Sequence, residues 1–172
     1  MMRTIAGLLL CATVALGWPL HAAAASPSLH ELLHAGDWLN GKISSSDIRG
    51  KVVLVDFYTF GCINCQRTQP NLRRLHREKP SRDFVIISVH SPETAYERDR
   101  SNLVASLRDQ GVVWPVIVDN DFGVWNEFGV QAWPTQMLFD RGGVLRKVVV
   151  GDSQDKIVED EVDALMRQKA AR

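Results

Sequence analysis

The chain has 172 residues, 45% of them hydrophobic, with 20 basic and 20 acidic side chains and three cysteines. That is one domain's worth of sequence with enough apolar content to bury a full core. The balanced charge gives no pointer to nucleic acid or an anionic membrane surface as a partner.

The N-terminus reads as a separate element, a cleaved signal peptide over residues 1–25. Arg3 supplies a positive start, Ile5 to Leu16 an apolar run, and Ala22 to Ala25 small residues before Ser26. Trp18-Pro19-Leu20-His21 interrupts the apolar run, so an uncleaved membrane anchor is the lesser alternative. Cys11 lies inside the run and not after a small residue at its end, which argues against lipidation. The expected layout is a signal peptide at 1–25, a lead-in at 26–50 and a folded domain at 51–172, in a periplasmic or secreted setting.

Ser28 to His34 reads as a short helix with a serine cap, followed by an irregular lead-in through Asp37-Trp38-Leu39-Asn40-Gly41 and turn chemistry at Ser44 to Asp47. The continuous apolar run Val52 to Tyr58 predicts a strand buried on both faces. A helix follows from about Ile63 to Arg77, with Pro70 kinking it without ending it, because Leu72 and Leu75 continue its apolar stripe. Phe84 to Val89 is a second buried strand. Thr94 to Gln110 reads as one helix with Tyr96, Leu103, Val104 and Leu107 on its apolar face and Gly111 as its stop. Val116 to Val118 is a third strand and Phe122 to Phe128 a short helix. Gln136 to Phe139, the turn Asp140 to Gly143, and Val144 to Val150 form an antiparallel hairpin, and Gln154 to Arg167 a last amphipathic helix. The order is β-α-β-α-β-α-β-β-α, an α/β layout in which strand-to-helix junctions present active groups at the carboxyl ends of strands.

One such junction carries Cys62-Ile63-Asn64-Cys65. At the start of a helix this spacing puts both sulfurs on one face of the first turn. Backbone N–H groups at a helix N-terminus favour negative charge, which helps a thiol there to ionise. The first cysteine is then placed to attack a disulfide and the second to resolve the mixed disulfide. A zinc site needs four ligands, and after loss of residues 1–25 the chain has no second cysteine pair; His30, His34, His76 and His90 are available only by a further geometric coincidence. A staple so short restrains the unfolded chain very little. Redox chemistry is the favoured reading. Asp56, six residues before Cys62 on a buried strand, is read as a carboxyl of raised pKa able to exchange the second cysteine's proton near neutral pH. His90 reads as a solvent-facing or backbone-bonded histidine, Trp133 and Tyr58 as core or rim aromatics, and Trp38, Trp114 and Trp125 as packing.

Val55-Asp56-Phe57-Tyr58-Thr59-Phe60-Gly61-Cys62-Ile63-Asn64-Cys65, then Pro70, and later Val130 to Thr135, resemble a thioredoxin-fold protein of the exported TlpA-like branch. Cys-Ile-Asn-Cys with Arg67-Thr68-Gln69-Pro70, Val89-His90-Ser91-Pro92-Glu93 and Trp114-Pro115-Val116 is similar to the periplasmic thioredoxin domain of DipZ-type reductant conductors, over about residues 37–168. The resemblance implies a thioredoxin-like fold, a central mixed sheet flanked by helices with a TlpA-like inserted helix-strand segment. It implies Cys62 as exposed nucleophile, Cys65 as buried resolving thiol and Cys62–Cys65 as the redox disulfide. It implies Asp56 as the acid beneath them, and Pro134 as a cis-proline facing the pair, with Trp133 and Thr135 beside it binding an extended substrate segment. No cofactor or metal is implied. The expected partners are protein disulfides and, as electron donor, a membrane conductor of the DipZ or CcdA type; the expected state is a monomer. Gly61 departs from the tryptophan common at that position, and Thr68 stands where some TlpA-like reductants carry a glutamate. Two alternatives stay open: a thiol peroxidase, because Thr59 lies three residues before Cys62 although the matching proline position is Val55, and a non-catalytic metal carrier using Cys62, Cys65 and His90. Reduction is the expected direction, though couples of this type span about −270 to −120 mV.

Overall fold

The computed structural model describes residues 27–169, so the expected signal peptide lies outside the described residues. The elements are α1 (Leu29–His34), β1 (Trp38–Leu39), α2 (Ser45–Ile48), β2 (Val52–Tyr58), α3 (Ile63–Glu78), β3 (Phe84–His90), α4 (Ala95–Arg98), α5 (Arg100–Asp109), β4 (Val116–Val118), α6 (Gly123–Glu127), β5 (Thr135–Phe139), β6 (Leu145–Val150) and α7 (Asp155–Arg167). The strands form one sheet in the order β1-β4-β3-β2-β5-β6. β2, β3 and β4 are parallel, while β1 pairs antiparallel with β4, and β5 with both β2 and β6.

β2 is central, and all seven of its residues are buried because helices cover both faces of the sheet. Its strand alternation sorts the core into two halves. Val52, Leu54 and Tyr58 face a cluster built with Leu72 and Leu75 of α3, Leu103 and Leu107 of α5, and Val158, Val162 and Leu165 of α7. Val53, Val55 and Phe57 face the opposite cluster, with Trp125 of α6 and Leu29 and Leu32 of α1. The lead-in at 26–50 therefore contributes Leu29, Leu32 and Ile43 to the same core as the rest of the domain. The layout is the expected thioredoxin-like one, a mixed sheet flanked by helices, with α4, α5, β4 and α6 lying between β3 and β5.

Several local expectations are corrected. The lead-in holds a two-residue strand, β1, in register with Val116 and Ile117, and Ser44 opens a helical turn, α2, through a capping box with Asp47. The single helix expected over Thr94 to Gln110 is two helices. Asp99 breaks it in an extended conformation, its carboxylate accepting the N–H groups of Ser101 and Asn102 and so capping α5. Tyr96 and Val104, assigned to the apolar face, are instead 66% and 47% exposed. β3 runs one residue further than expected, to His90. As expected, Pro70 lies inside α3 without ending it, its ring at the surface.

Candidate active site

Cys62 is the N-cap of α3, half-buried, and its carbonyl accepts the first helical hydrogen bond from the Gln66 N–H at 3.0 Å. Cys65, one turn on, is 1% exposed and packs in the cluster shared by β2 and α3. Both are free thiols. Burial pushes the Cys65 thiol well above the ordinary range, against a lowering contact with the Thr59 backbone; the Cys62 sulfur and the Asp56 carboxyl, both close by, push it further up.

Asp56 stands on the same face of β2 as Leu54 and Tyr58, hence under α3 and Cys65. Register places it directly between Ser88 of β3 and Gln136 of β5. The Ser88 hydroxyl donates to Oδ2 at 3.2 Å, the Gln136 amide to Oδ1 at 3.4 Å, and the Trp114 indole N–H donates in turn to the Ser88 Oγ at 2.9 Å. Two long hydrogen bonds do not offset full burial, and the Asp56 carboxyl is pushed up to about 7. Tyr58 is buried among the same groups, its hydroxyl without a partner among the described residues and its ionisation suppressed by burial and by the nearby Asp56 and Cys65.

β5 runs antiparallel to β2 with Thr135 opposite Phe57, so Pro134 arrives at the same end of the sheet as Cys62. The Trp133–Pro134 peptide bond is cis. Trp133 is half-buried, packed on Trp125 with ring centroids 4.3 Å apart, and its indole N–H donates to the Ser91 carbonyl at 3.1 Å. Thr135 is 2% exposed, its hydroxyl donating to the Ala132 carbonyl at 2.7 Å and its backbone in the sheet between Phe57 and Val150. Its side chain thus points inward, and Trp133 and the buried Pro134 precede it at the Cys62 end of the sheet.

His90 is a correction. It is fully buried beside Tyr58 in the ladder, its ring stacked on Phe60 with centroids 5.4 Å apart and its Nε2 3.3 Å from the Thr59 hydroxyl. Burial lowers its pKa to about 4, against a raising influence of Glu97, so the ring is neutral. The His90 Nε2 faces the Thr59 hydroxyl, which itself donates to the Glu97 carboxylate. Among the described residues no three His, Cys, Asp or Glu side chains are grouped to hold one metal ion.

A residue missed in the sequence is Glu97, 3% exposed. Its Oε1 accepts the Thr59 hydroxyl at 2.7 Å and the Gly61 N–H at 2.9 Å; its Oε2 accepts the N–H groups of Glu93 and Thr94 and the Thr94 hydroxyl. Thr94-Ala95-Tyr96-Glu97 is a capping box, which a sequence shows, but the reach back to Thr59 and Gly61 has no local signature. It also explains Gly61: a Cβ there would stand 2.5 Å from Oε1, so a tryptophan at this position would displace the carboxylate.

Residues 26–148 match the AhpC/TSA family. The chain is 32% identical over 133 residues to Protein DipZ of Mycobacterium bovis, covering 75% of this chain but 19% of that protein, so it spans about a fifth of DipZ's length. It is 25% identical over 139 residues to the thiol-disulfide oxidoreductase YkuV of Bacillus subtilis, covering 80% of this chain and 93% of YkuV. The crystal structure of a thiol-disulfide isomerase from Corynebacterium glutamicum shares the fold with a TM-score of 0.70 at 23% identity, over 78% of this chain and 94% of that one.

Proposed function

Because this chain belongs to the AhpC/TSA family and has the thioredoxin-like fold, we propose that it acts as an exported thiol–disulfide oxidoreductase that reduces disulfides in protein partners through Cys62 and Cys65. It is a thioredoxin-like protein-disulfide oxidoreductase by class; export, direction and mechanism are the proposed parts. The observation that carries the mechanism is the pairing of a half-exposed Cys62 at a helix start with a buried Cys65 over the buried carboxyl of Asp56.

The Cys62 thiolate attacks one sulfur of the partner's disulfide. A Cys62–partner bond forms, the partner's S–S bond breaks, and the other partner sulfur leaves as a thiolate that takes a proton from solvent. Cys65 gives its proton to the Asp56 carboxylate and attacks the Cys62 sulfur. The Cys62–Cys65 bond forms and the second partner thiolate is released, two electrons having passed from the pair to the partner. Asp56 suits this step because a carboxyl that titrates near 7 takes and returns a proton at neutral pH. The cis Trp133–Pro134 segment, at the same end of the sheet, is where an extended partner strand would lie. Residues 1–25 would direct export and 51–172, with its packed lead-in, would form the working domain. Once oxidised, the pair needs a reductant, for which a membrane conductor of the DipZ or CcdA type is proposed as donor, the similarity to DipZ being its support.

The test is a redox titration of the pair in glutathione buffers, read by thiol alkylation and mass. A midpoint near the reductant end, about −270 mV, is expected; one near −120 mV overturns the direction. Cys65→Ala should accumulate a mixed disulfide with partner proteins in cells, and the absence of any disulfide-linked species would overturn the exchange mechanism.

A further inference from the structure

Resting on that exchange reading, we propose that Glu97 is a positioning residue for the reaction, its carboxylate holding, through Thr59 and Gly61, the backbone segment that presents Cys62. The Oε2 contacts serve the local cap of α4, a four-residue helix. Oε1 is not needed for that cap. It reaches back 38 residues to Thr59 and 36 to Gly61, the positions three and one before Cys62.

All five partners of this carboxylate are N–H or O–H donors, and none is an acceptor. An amide in its place would turn an NH2 group against two or three donors, so a carboxylate specifically fits. The same logic orients the neighbours. Thr59 spends its proton on Glu97, so its oxygen accepts from His90, which places the His90 proton on Nε2 and leaves Nδ1 a buried lone pair without a partner among the described residues. The Thr59 backbone carries the clasp onward: its carbonyl accepts the Cys62 N–H at 3.3 Å. Tyr96, in the same turn as Glu97, meets the Phe60 ring edge-on, and Phe60 stacks on His90, so the residue between Thr59 and Gly61 is held as well. A nucleophile's aim is worth large factors in rate, because attack needs the sulfurs in line and close.

The test uses the full chain, pre-reduced, and follows single-turnover reduction of a disulfide-linked peptide together with equilibration of the pair in a fixed glutathione buffer. Glu97→Gln and Thr59→Val are each expected to slow the exchange by about tenfold or more. Both should also shift the dithiol-to-disulfide ratio of the pair. Thr59→Ser, which keeps the hydroxyl, is expected to stay within about twofold of wild type. Asp99→Ala removes the cap of α5 without touching Glu97 and should exchange at the wild-type rate even where it lowers stability. Thr59→Val at the wild-type rate, or Asp99→Ala slowed as much as Thr59→Val, overturns the proposal, and Thr59→Val carries the test if Glu97→Gln does not fold. A wild-type chain that fails to exchange with glutathione overturns the oxidoreductase reading itself, whereas normal wild-type exchange beside an unaffected Thr59→Val overturns only the role of Glu97.

Discussion

Two buried carboxyl groups flank the cysteine pair, and they behave in opposite ways. Asp56 and Glu97 are 0% and 3% exposed. Asp56 receives two hydrogen bonds, both longer than 3.1 Å, and burial pushes its carboxyl up to about 7. Glu97 receives five, and although burial works against its charge, the bonds from Thr59, Thr94 and Gly61 prevail and hold it below the usual carboxylate range. Depth does not decide the charge of a buried acid; the number of donors turned toward it does. The candidate site thereby has one acid that titrates near neutral pH, close to Cys65, and another held charged by the Thr59 and Gly61 segment.

The contrast can be broken most severely at Glu97. Glu97→Leu leaves five donors without an acceptor and is expected to cost about 3–5 kcal/mol in urea unfolding at pH 7; a loss under about 1 kcal/mol would mean that water replaces the carboxylate freely. Asp56→Asn should move stability the other way. The folded chain keeps Asp56 protonated to a higher pH than the unfolded chain does, so wild-type stability falls as pH rises from about 4 to about 7. The asparagine variant does not titrate in this range, so its stability relative to wild type should rise by about 3 kcal/mol between pH 5 and pH 8. Glu97 has the reverse dependence: with a lowered folded pKa, its contribution is present above the pKa of an unfolded glutamate and is lost as pH falls through the folded value. Asp56→Asn should also lengthen the life of the mixed disulfide at pH 7 by about a hundredfold, read by quenched-flow alkylation, because Cys65 loses its proton acceptor. The smallest effect is Thr94→Ala, which removes the side-chain cap of α4 and one of the five donors, for about 1 kcal/mol in the same urea assay.

Strands and helices whose reasons are local were legible. The apolar run at Val52 to Tyr58 and the short strand at Val116 to Val118 are found where periodicity and composition place them. α3 begins at the predicted residue and continues through Pro70. What escaped depends on distant partners. β1 is two residues long and exists because Trp38 and Leu39 meet the edge of β4, which nothing in the lead-in announces. The break at Asp99 has a local cause, yet Tyr96 and Leu103 share a helical spacing that hid it, and the exposed Tyr96 shows the apolar stripe there to be accidental. In the candidate site, the placement of the two cysteines at a helix start and the burial of Asp56 were legible from spacing and pattern, and the cis Trp133–Pro134 bond through resemblance. Glu97 was not, because half of its role, capping Thr94, is an ordinary local motif that conceals its contacts with Thr59 and Gly61. His90 was missed for a related reason: a histidine at a strand end resembles a surface residue until Phe60 and Tyr58 are seen to enclose it.

The hydrogen-bonded line from the Trp114 indole through Ser88 to Asp56 gives the protein an optical signature of its own. Trp114 is 1% exposed, with Ser88 at its N–H and the His76 ring 5.4 Å from its own, so its emission reports on those neighbours more than on solvent. A change of charge on Asp56, two bonds away, alters the polarity felt by that indole. The difference in fluorescence between wild type and Asp56→Asn across pH 6 to 8 should therefore trace the carboxyl's titration with no added dye.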